Sequence, residues 1–269
     1  MKTKQFGLLT LTLLLLLHSL KTAAQDPVII QITKAHFDLS HEGTLADLLK
    51  LEKEYHQKVS MKNEFLLGTD MLLHEFTPDA SEVLFIQVYK SFEDIDKAAD
   101  EDVRLSKLAW PDSLERVKLG KERNGYYTTQ HSDEIYTSFP YFKTLPNAGD
   151  STFVILMKKN HRAFPENGSG KEFRNLYKEW FDHTIQKNKW MKGYYPMYHH
   201  TGSDGRDFVE FMAFESLDAM DKGLTALSQL GKEHWPDATK RKEFFTKFGR
   251  YFEDWHGDYV YTSVPELHK

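Results

Sequence analysis

The chain has 269 residues, a formal net charge of −5 and no cysteine. The absence of cysteine excludes disulfides, thiolate catalysis and zinc sites built from cysteine. Acidic and basic residues are interspersed, without the basic stripe that binding to nucleic acid requires. Aromatic residues make up 14% of the chain, a content that suits both packed cores and ligand pockets.

Residues 1–24 have the pattern of a secretory signal peptide. Two lysines precede an apolar run from Gly7 to Leu17, and the small residues Ala23 and Ala24 end the segment. The run is shorter than the about 20 residues that a membrane-spanning helix needs, although a retained N-terminal anchor is the alternative. We therefore expect removal of residues 1–24 and a secreted or periplasmic mature protein without a membrane span.

The predicted elements after this segment alternate between strands and helices. Strands are indicated by β-branched and aromatic residues, and helices by apolar residues at spacings of three and four. Proline suits the first turn of a helix, so Trp110-Pro111-Asp112 predicts that a helix restarts there. The predicted order is a strand at 28–37, a helix at 48–59, strands at 68–76 and 83–89, helical residues from 92 that restart at 110, and a strand at 135–139.

The same order occurs again in the second half of the chain. Trp110-Pro111-Asp112 recurs as Trp235-Pro236-Asp237, an offset of 125 positions (235 − 110), and eleven of the 31 aligned positions between 110 and 140 are identical without a gap. Such self-similarity at a fixed offset identifies an internal repeat. The second copy predicts a strand at 153–159, a helix at 173–184, strands at 193–201 and 208–214, a helix at 217–230 that restarts at 235, and a strand at 259–264.

The order β-α-β-β-α-β, present twice, is the split βαβ arrangement. We therefore predict an α+β fold of two tandem ferredoxin-like units at 25–143 and 152–269, joined by a linker at 144–151. Each unit should form a four-stranded antiparallel sheet with helices on one face.

This tandem pattern resembles the dimeric α/β-barrel superfamily, in which two ferredoxin-like units place their sheets face to face. The resemblance covers the predicted mature chain and implies a pseudo-dimeric barrel with a pocket. Members include small monooxygenases, haem-dependent chlorite dismutases, dye-decolourising peroxidases and mutarotases, so the resemblance implies no single chemistry.

Lysine and histidine end the first strand of each copy. Because side chains alternate along a strand, Lys34 and His36 share the face of apolar Ile30 and Ile32. Lys159 and His161 hold the same positions in the second copy. An apolar face with a polar end is typical of a pocket with a polar rim, and a neighbouring ammonium favours the neutral imidazole of a catalytic base. We predict these four residues as catalytic; the alternative is a solvated strand end.

Other repeated or clustered side chains are candidates for ligand contacts. His131-x-Asp133 and His256-x-Asp258 favour a turn before the last strand, with a histidine base oriented by aspartate as the alternative. Two histidines without a carboxylate at ligand spacing do not predict a metal site. The predicted ligand-binding residues are His74, His199, Tyr136, Tyr261, Tyr195 and Met197.

These patterns predict a secreted or periplasmic barrel protein that binds a small, largely apolar ligand. If the protein is an enzyme, we expect an oxygenase- or isomerase-like activity. The alternatives are a haem-binding barrel and a non-catalytic interaction module. Haem is the first cofactor to test, because the resemblance includes haem enzymes. The second copy is the expected host, with Trp190, Tyr194, Tyr195, Met197, Tyr198 and His199 in and before one strand. An oligomer is left open.

Overall fold

A computed structural model describes residues 26–146, 151–202 and 204–269. The predicted signal peptide and residues 147–150 of the predicted linker lie outside these ranges. The strands are β1 Ile29–Phe37, β2 Leu66–Phe76, β3 Glu82–Tyr89, β4 Tyr127–Ser138, β5 Val154–Arg162, β6 Met191–Thr201, β7 Asp207–Phe214 and β8 Phe252–Ser263. The α-helices are α1 Leu45–Lys58, α2 Glu93–Ala109, α3 Ser113–Asn124, α4 Gly170–Trp180, α5 Leu217–His234 and α6 Ala238–Gly249.

The eight strands form a closed barrel in the order β1-β3-β2-β8-β5-β7-β6-β4, and every neighbouring pair is antiparallel. The predicted α+β fold of two tandem ferredoxin-like units, packed as a pseudo-dimeric barrel, is confirmed. One feature was not predicted: the two four-stranded sheets also pair along both edges, through β2 with β8 and β4 with β6. These two seams remove every free sheet edge, which otherwise invites aggregation.

The alternation of side chains separates the core into layers. Ile32, Tyr136, Met157 and Val209 face the barrel interior, where apolar residues of both units meet. The opposite face of each sheet is covered by its own helices, and Leu48 of α1 packs there in the first unit. Each unit therefore has a helix–sheet layer of its own, and the two units share the interior.

The last strand of each unit begins earlier than predicted. β4 begins at Tyr127 rather than 135, and β8 at Phe252 rather than 259. These early residues are largely exposed and lack alternating apolar residues, so their backbone pairing leaves no pattern in the sequence. His131 and His256 therefore lie within strands, opposite Ala35 and Asn160, and not in the predicted turns.

Both Trp-Pro-Asp motifs begin a helix, as predicted. The side chain of Asp112 accepts a hydrogen bond from the Leu114 amide, and that of Asp237 accepts from the Thr239 and Lys240 amides. These bonds satisfy N–H groups that have no partner within the helix. No helix within the described ranges is both long and apolar enough to cross a membrane.

Candidate functional site

A cavity of about 580 Å³ lies in the helix–sheet layer of the first unit. Side chains from the outer face of the sheet form one wall, and side chains of α1, α2 and α3 form the other. We call this space the first-unit cavity. Its lining includes Ala35, Thr69, Met71 and Phe85 on the sheet side and Glu52, Tyr55, His56, Asp102 and Arg123 on the helix side.

The same layer of the second unit is packed with aromatic rings. Tyr177 and Phe173 are almost fully buried, and the rings of Tyr177 and Phe248 lie 5.9 Å apart between centroids. Where the first unit has mostly polar side chains, the second unit therefore has aromatic or aliphatic side chains at the equivalent positions of the repeat. The residues 125 positions after Glu52, Tyr55, His56, Asp102 and Arg123 are Tyr177, Trp180, Phe181, Leu227 and Phe248.

An equivalent asparagine ties the helices to the sheet in both units. The Asn63 Nδ2 donates to the carbonyl oxygen of Ala98 at 2.8 Å, and the Asn188 Nδ2 donates to that of Gly223, also at 2.8 Å. Both asparagines are buried. The helical layer is thus anchored in the same way in both units, and the difference between them lies in the side chains that fill it.

A charged pair stands in the wall of the first-unit cavity. The Arg123 Nε donates to Glu52 Oε1 at 2.9 Å, and the Tyr127 hydroxyl donates to the same oxygen at 3.1 Å. The Glu52 side chain is only 6% exposed. The Arg123 guanidinium lies 4.0 Å from the centre of the Tyr55 ring, a cation–π contact. The negative charge of Glu52 is thereby compensated by Arg123, and the Glu52 side chain is held in one position.

Asp102 lines the cavity, and among the described residues no arginine or lysine lies within ion-pair distance of it. Its Oδ1 accepts from the Asn63 Nδ2 at 2.6 Å, and its Oδ2 lies 3.5 Å from the Tyr55 hydroxyl. Burial raises the pKa of Asp102, because desolvation disfavours the carboxylate. A carboxyl of raised pKa that lines a cavity is a candidate for general acid–base chemistry.

His56 lines the same cavity as a neutral ring. Burial lowers its pKa. The Nε2 lies 3.2 Å from the carbonyl oxygen of His268, so this nitrogen carries the proton and donates. The Nδ1 lies 3.5 Å from the Thr69 hydroxyl. Both ring nitrogens therefore face protein partners.

The sequence did not predict Glu52, Asp102 or Arg123 as site residues. Charged residues on helices are usually solvated, and nothing local distinguishes these three. Comparison of the two copies could have identified these residues, because at each of the three positions the second copy has an aromatic or aliphatic residue.

The predicted catalytic lysines and histidines lie at one end of the barrel, in ion pairs. The Lys34 Nζ is 2.9 Å from Glu82 Oε2, and the Lys159 Nζ is 2.6 Å from Asp207 Oδ2. The space beside both lysines is only about 70 Å³. These pairs satisfy the lysines within the protein, and the space left is small for a ligand.

The predicted histidines face carboxylates of the loop between the second and third strands of their own unit. The His36 Nδ1 lies 3.1 Å from Asp79 Oδ2, and the His161 Nε2 lies 3.8 Å from Asp204 Oδ2. His161 also stacks on Trp255, with ring centroids 4.1 Å apart. Neither histidine lines the first-unit cavity.

The four predicted contacts at the seams form two pairs. Tyr136 lies opposite His199 in the β4–β6 seam, and His74 lies opposite Tyr261 in the β2–β8 seam. The Tyr136 hydroxyl donates to Glu134 and the Tyr261 hydroxyl donates to Glu82. Burial raises the pKa of both phenols, so they remain donors. The structure thus pairs these residues but does not bring them to His36 or His161.

The side chains predicted to host haem on β6 are divided between the two faces of the strand. Tyr194 is buried in the helix–sheet layer, whereas Tyr195 and Met197 face the barrel interior and Tyr198 is 38% exposed. Alternation along the strand puts Tyr194 and Tyr198 on one face and Tyr195, Met197 and His199 on the other, so the predicted haem contacts do not all face one space. Tyr195 and Met197 line a cavity of about 220 Å³ inside the barrel, together with Ile30, Leu72, Phe211 and Ala213; we call it the barrel cavity.

No group of three or more histidine, aspartate and glutamate side chains in the described part of the chain has an arrangement that could hold a metal ion.

No protein-family model matches the sequence, and no curated protein matches it. Three solved structures are similar. A candidate monooxygenase from Fusobacterium nucleatum has a TM-score of 0.56 at 12% identity, covering 89% of this chain and 94% of that chain. A candidate monooxygenase from Lactobacillus acidophilus has a TM-score of 0.54 at 11% identity, covering 90% and 95%. A variant of chlorite dismutase from Candidatus Nitrospira defluvii has a TM-score of 0.51 at 14% identity, covering 89% and 92%. The chain therefore has the fold of the dimeric α/β-barrel superfamily, with both ferredoxin-like units in one polypeptide.

Proposed function

We propose that the protein binds a small molecule in the first-unit cavity, and that this ligand has a largely apolar body and a hydrogen-bond donor such as an amine or hydroxyl. One observation carries the proposal. The same layer is filled by rings in one copy of the repeat and is hollow and polar in the other.

A helix–sheet layer filled by aromatic side chains is expected to be more stable than one that contains a polar cavity. Protein interiors are close-packed, and a buried ion pair is often no more stabilising than apolar side chains of similar volume. The chain uses the filled version in its second unit, where Tyr177 and Phe248 stand in place of Glu52 and Arg123. A cavity kept at a cost in stability is typical of a binding site.

The walls of the cavity indicate the chemistry of the ligand. Ala35, Met71 and Phe85 offer an apolar surface on the sheet side. On the helix side, Glu52 is already paired with Arg123, so Asp102 is the carboxyl that a ligand's donor group can approach. A donor that is also cationic would gain a charge-assisted bond to Asp102.

An enzyme of isomerase- or oxygenase-like type is the second candidate, and Asp102 favours it. A carboxyl of raised pKa can remove a proton from a bound substrate, which is a first step open to both reaction classes. Two of the similar structures are described as candidate monooxygenases, which agrees with the oxygenase interpretation.

The ligand hypothesis is tested with tryptamine and its neutral relative 3-methylindole as probes. At pH 7 we expect tryptamine to bind more tightly, and Asp102→Asn to weaken tryptamine binding by about 10- to 150-fold, the value of a hydrogen bond to a charged group. Binding of 3-methylindole should change little. Asp100→Asn, an exposed position of the same helix, is the matched control. Calorimetric titration measures both probes with wild type and the two variants, and equal tryptamine affinity in wild type and Asp102→Asn would contradict the assignment.

The stability of Asp102→Asn relative to wild type is expected to depend on pH. Since burial raises the pKa of Asp102 above its ordinary value of 3.8, the folded state holds this proton more tightly than the unfolded state. The ionised carboxyl therefore costs stability at neutral pH; this cost declines once the pH falls below the raised pKa and is gone below the ordinary value of 3.8. We expect Asp102→Asn to be more stable than wild type at pH 7 and to lose that advantage at acid pH. Urea unfolding at both pH values measures the change.

We also propose that the protein is exported, on the strength of the pattern in residues 1–24. Cleavage after Ala24 should leave a mature chain that begins at Gln25. Intact mass spectrometry of protein isolated from its own cells checks this. A full-length mass in the membrane fraction would instead support the retained anchor.

A further inference from the structure

The barrel cavity is built by both units together. It lies at the end of the barrel where β1 and β5 begin, and its wall includes Ile30 of the first unit and Ile155 of the second, which occupy the same position of the repeat. Leu72 and Met197 form another such pair, and so do Val88 and Ala213. The cavity therefore surrounds the pseudo-twofold axis of the duplication, and neither unit alone encloses it.

The mouth of the barrel cavity is covered by the segment Val264–Lys269, which follows β8. Pro265, His268 and Lys269 line the cavity from this segment. The His268 Nδ1 lies 2.8 Å from Asp70 Oδ1, and the Lys269 Nζ donates to the carbonyl oxygens of Ser60 at 2.8 Å and Asn63 at 2.6 Å. The segment is thus held in place by bonds to the first unit.

A polar group also reaches the cavity from the second unit. The Tyr195 hydroxyl accepts a hydrogen bond from the Leu145 amide at 2.7 Å, so its oxygen is fixed. Tyr195 occupies the position of the repeat that Asp70 holds in the first unit. The interior is otherwise apolar over most of its wall, and the polar groups gather near the mouth.

We propose that the barrel cavity is a second binding site, for a compact apolar molecule with the size of a single aromatic ring. An engineered apolar cavity of about 150 Å³ remains free of water and binds benzene or xenon. The barrel cavity is larger, at about 220 Å³, and the apolar part of its wall consists of the same kinds of side chain. It lies on the opposite face of the first unit's sheet from the main body of the first-unit cavity, so the proposal does not depend on the proposed function.

Benzene is the probe, and methyl NMR spectra of the full chain are the readout. We expect saturable shifts of the Met197 and Leu72 methyl signals on titration. Ala213→Leu places three more carbons in the cavity and should lower benzene affinity about tenfold or more. Ala213→Val introduces the side chain that Val88 already supplies in the other unit, and it should give a smaller decrease.

The exposed variant Asp100→Asn, which lines neither cavity, is the control and should bind benzene as the wild type does. Because the leucine side chain of Ala213→Leu would strain a packed wall, the milder Val substitution and the methyl shifts decide the outcome even if Ala213→Leu unfolds. The proposal is overturned if wild type shows no saturable shift of the Met197 and Leu72 methyls. It is equally overturned if benzene affinity in folded Ala213→Val matches that of wild type.

Discussion

Replacing Glu52, Arg123 and Tyr127 together by Phe is expected to abolish ligand binding in the first-unit cavity and to raise stability by about 1–4 kcal/mol. The three substitutions give the first unit the rings that the second unit carries at Tyr177, Phe248 and Phe252. Exchange of a buried ion pair for apolar groups of similar volume removes a desolvation cost and fills empty space.

The choice of Phe at position 52 follows from the surroundings of Tyr177. In the second unit the Tyr177 hydroxyl donates to the buried Glu210 at 3.1 Å. The first unit has Phe85 at the position of Glu210, so a tyrosine hydroxyl at position 52 would lack that acceptor. An unsatisfied buried hydroxyl costs about 1–3 kcal/mol and would obscure the expected gain.

Urea unfolding and tryptamine titration of the triple variant measure both expected effects. The matched control is Glu52→Ala, which removes one partner and leaves the Arg123 guanidinium and the Tyr127 hydroxyl without their shared acceptor. We expect that single change to lower stability by about 1–3 kcal/mol. If the triple variant binds tryptamine as wild type does, the first-unit cavity is not the site.

Phe208→Ala is expected to cause a large loss of stability, about 3–5 kcal/mol. Phe208 is fully buried, and its ring centroid lies 5.5 Å from that of Tyr177 and 5.8 Å from that of Phe252. Removal of this ring opens a cavity among side chains that are themselves rigid, so little relaxation can compensate for it.

The equivalent position in the first unit supplies the comparison for Phe208→Ala. Val83 is also fully buried, and Val83→Ala removes two methyl groups at a cost of about 1–2 kcal/mol. Tryptamine affinity should be unchanged in folded Phe208→Ala, because Phe208 does not line the first-unit cavity. Equal losses of stability in the two variants would show that the helix–sheet layers of the two units are packed alike.

The repeat made the fold predictable from the sequence. Element order could be read twice, and the Trp-Pro-Asp motifs located two helix starts that the structure confirms. The seams β2–β8 and β4–β6 were not predictable, since antiparallel pairing between units depends on backbone groups that every residue carries. The early residues of β4 and β8 were missed for the same reason.

The site was less predictable than the fold. The sequence placed Lys34 correctly on the interior face of β1, but its partner Glu82 comes from another strand and could not be foreseen. Glu52 and Asp102 lie on helices, where a charge normally indicates solvent. Whether such a residue faces solvent or a cavity depends on the side chains that fill the helix–sheet layer. Those side chains come from several helices and strands of the unit.

A crystal structure of the protein purified from its own cells tests the central claim most directly. We expect electron density for a bound molecule in the first-unit cavity, with an apolar part against Met71 and Phe85 and a donor atom within hydrogen-bond distance of Asp102. A first-unit layer closed by side chains, or a cavity holding only ordered water in protein that carries its ligand elsewhere, would contradict it.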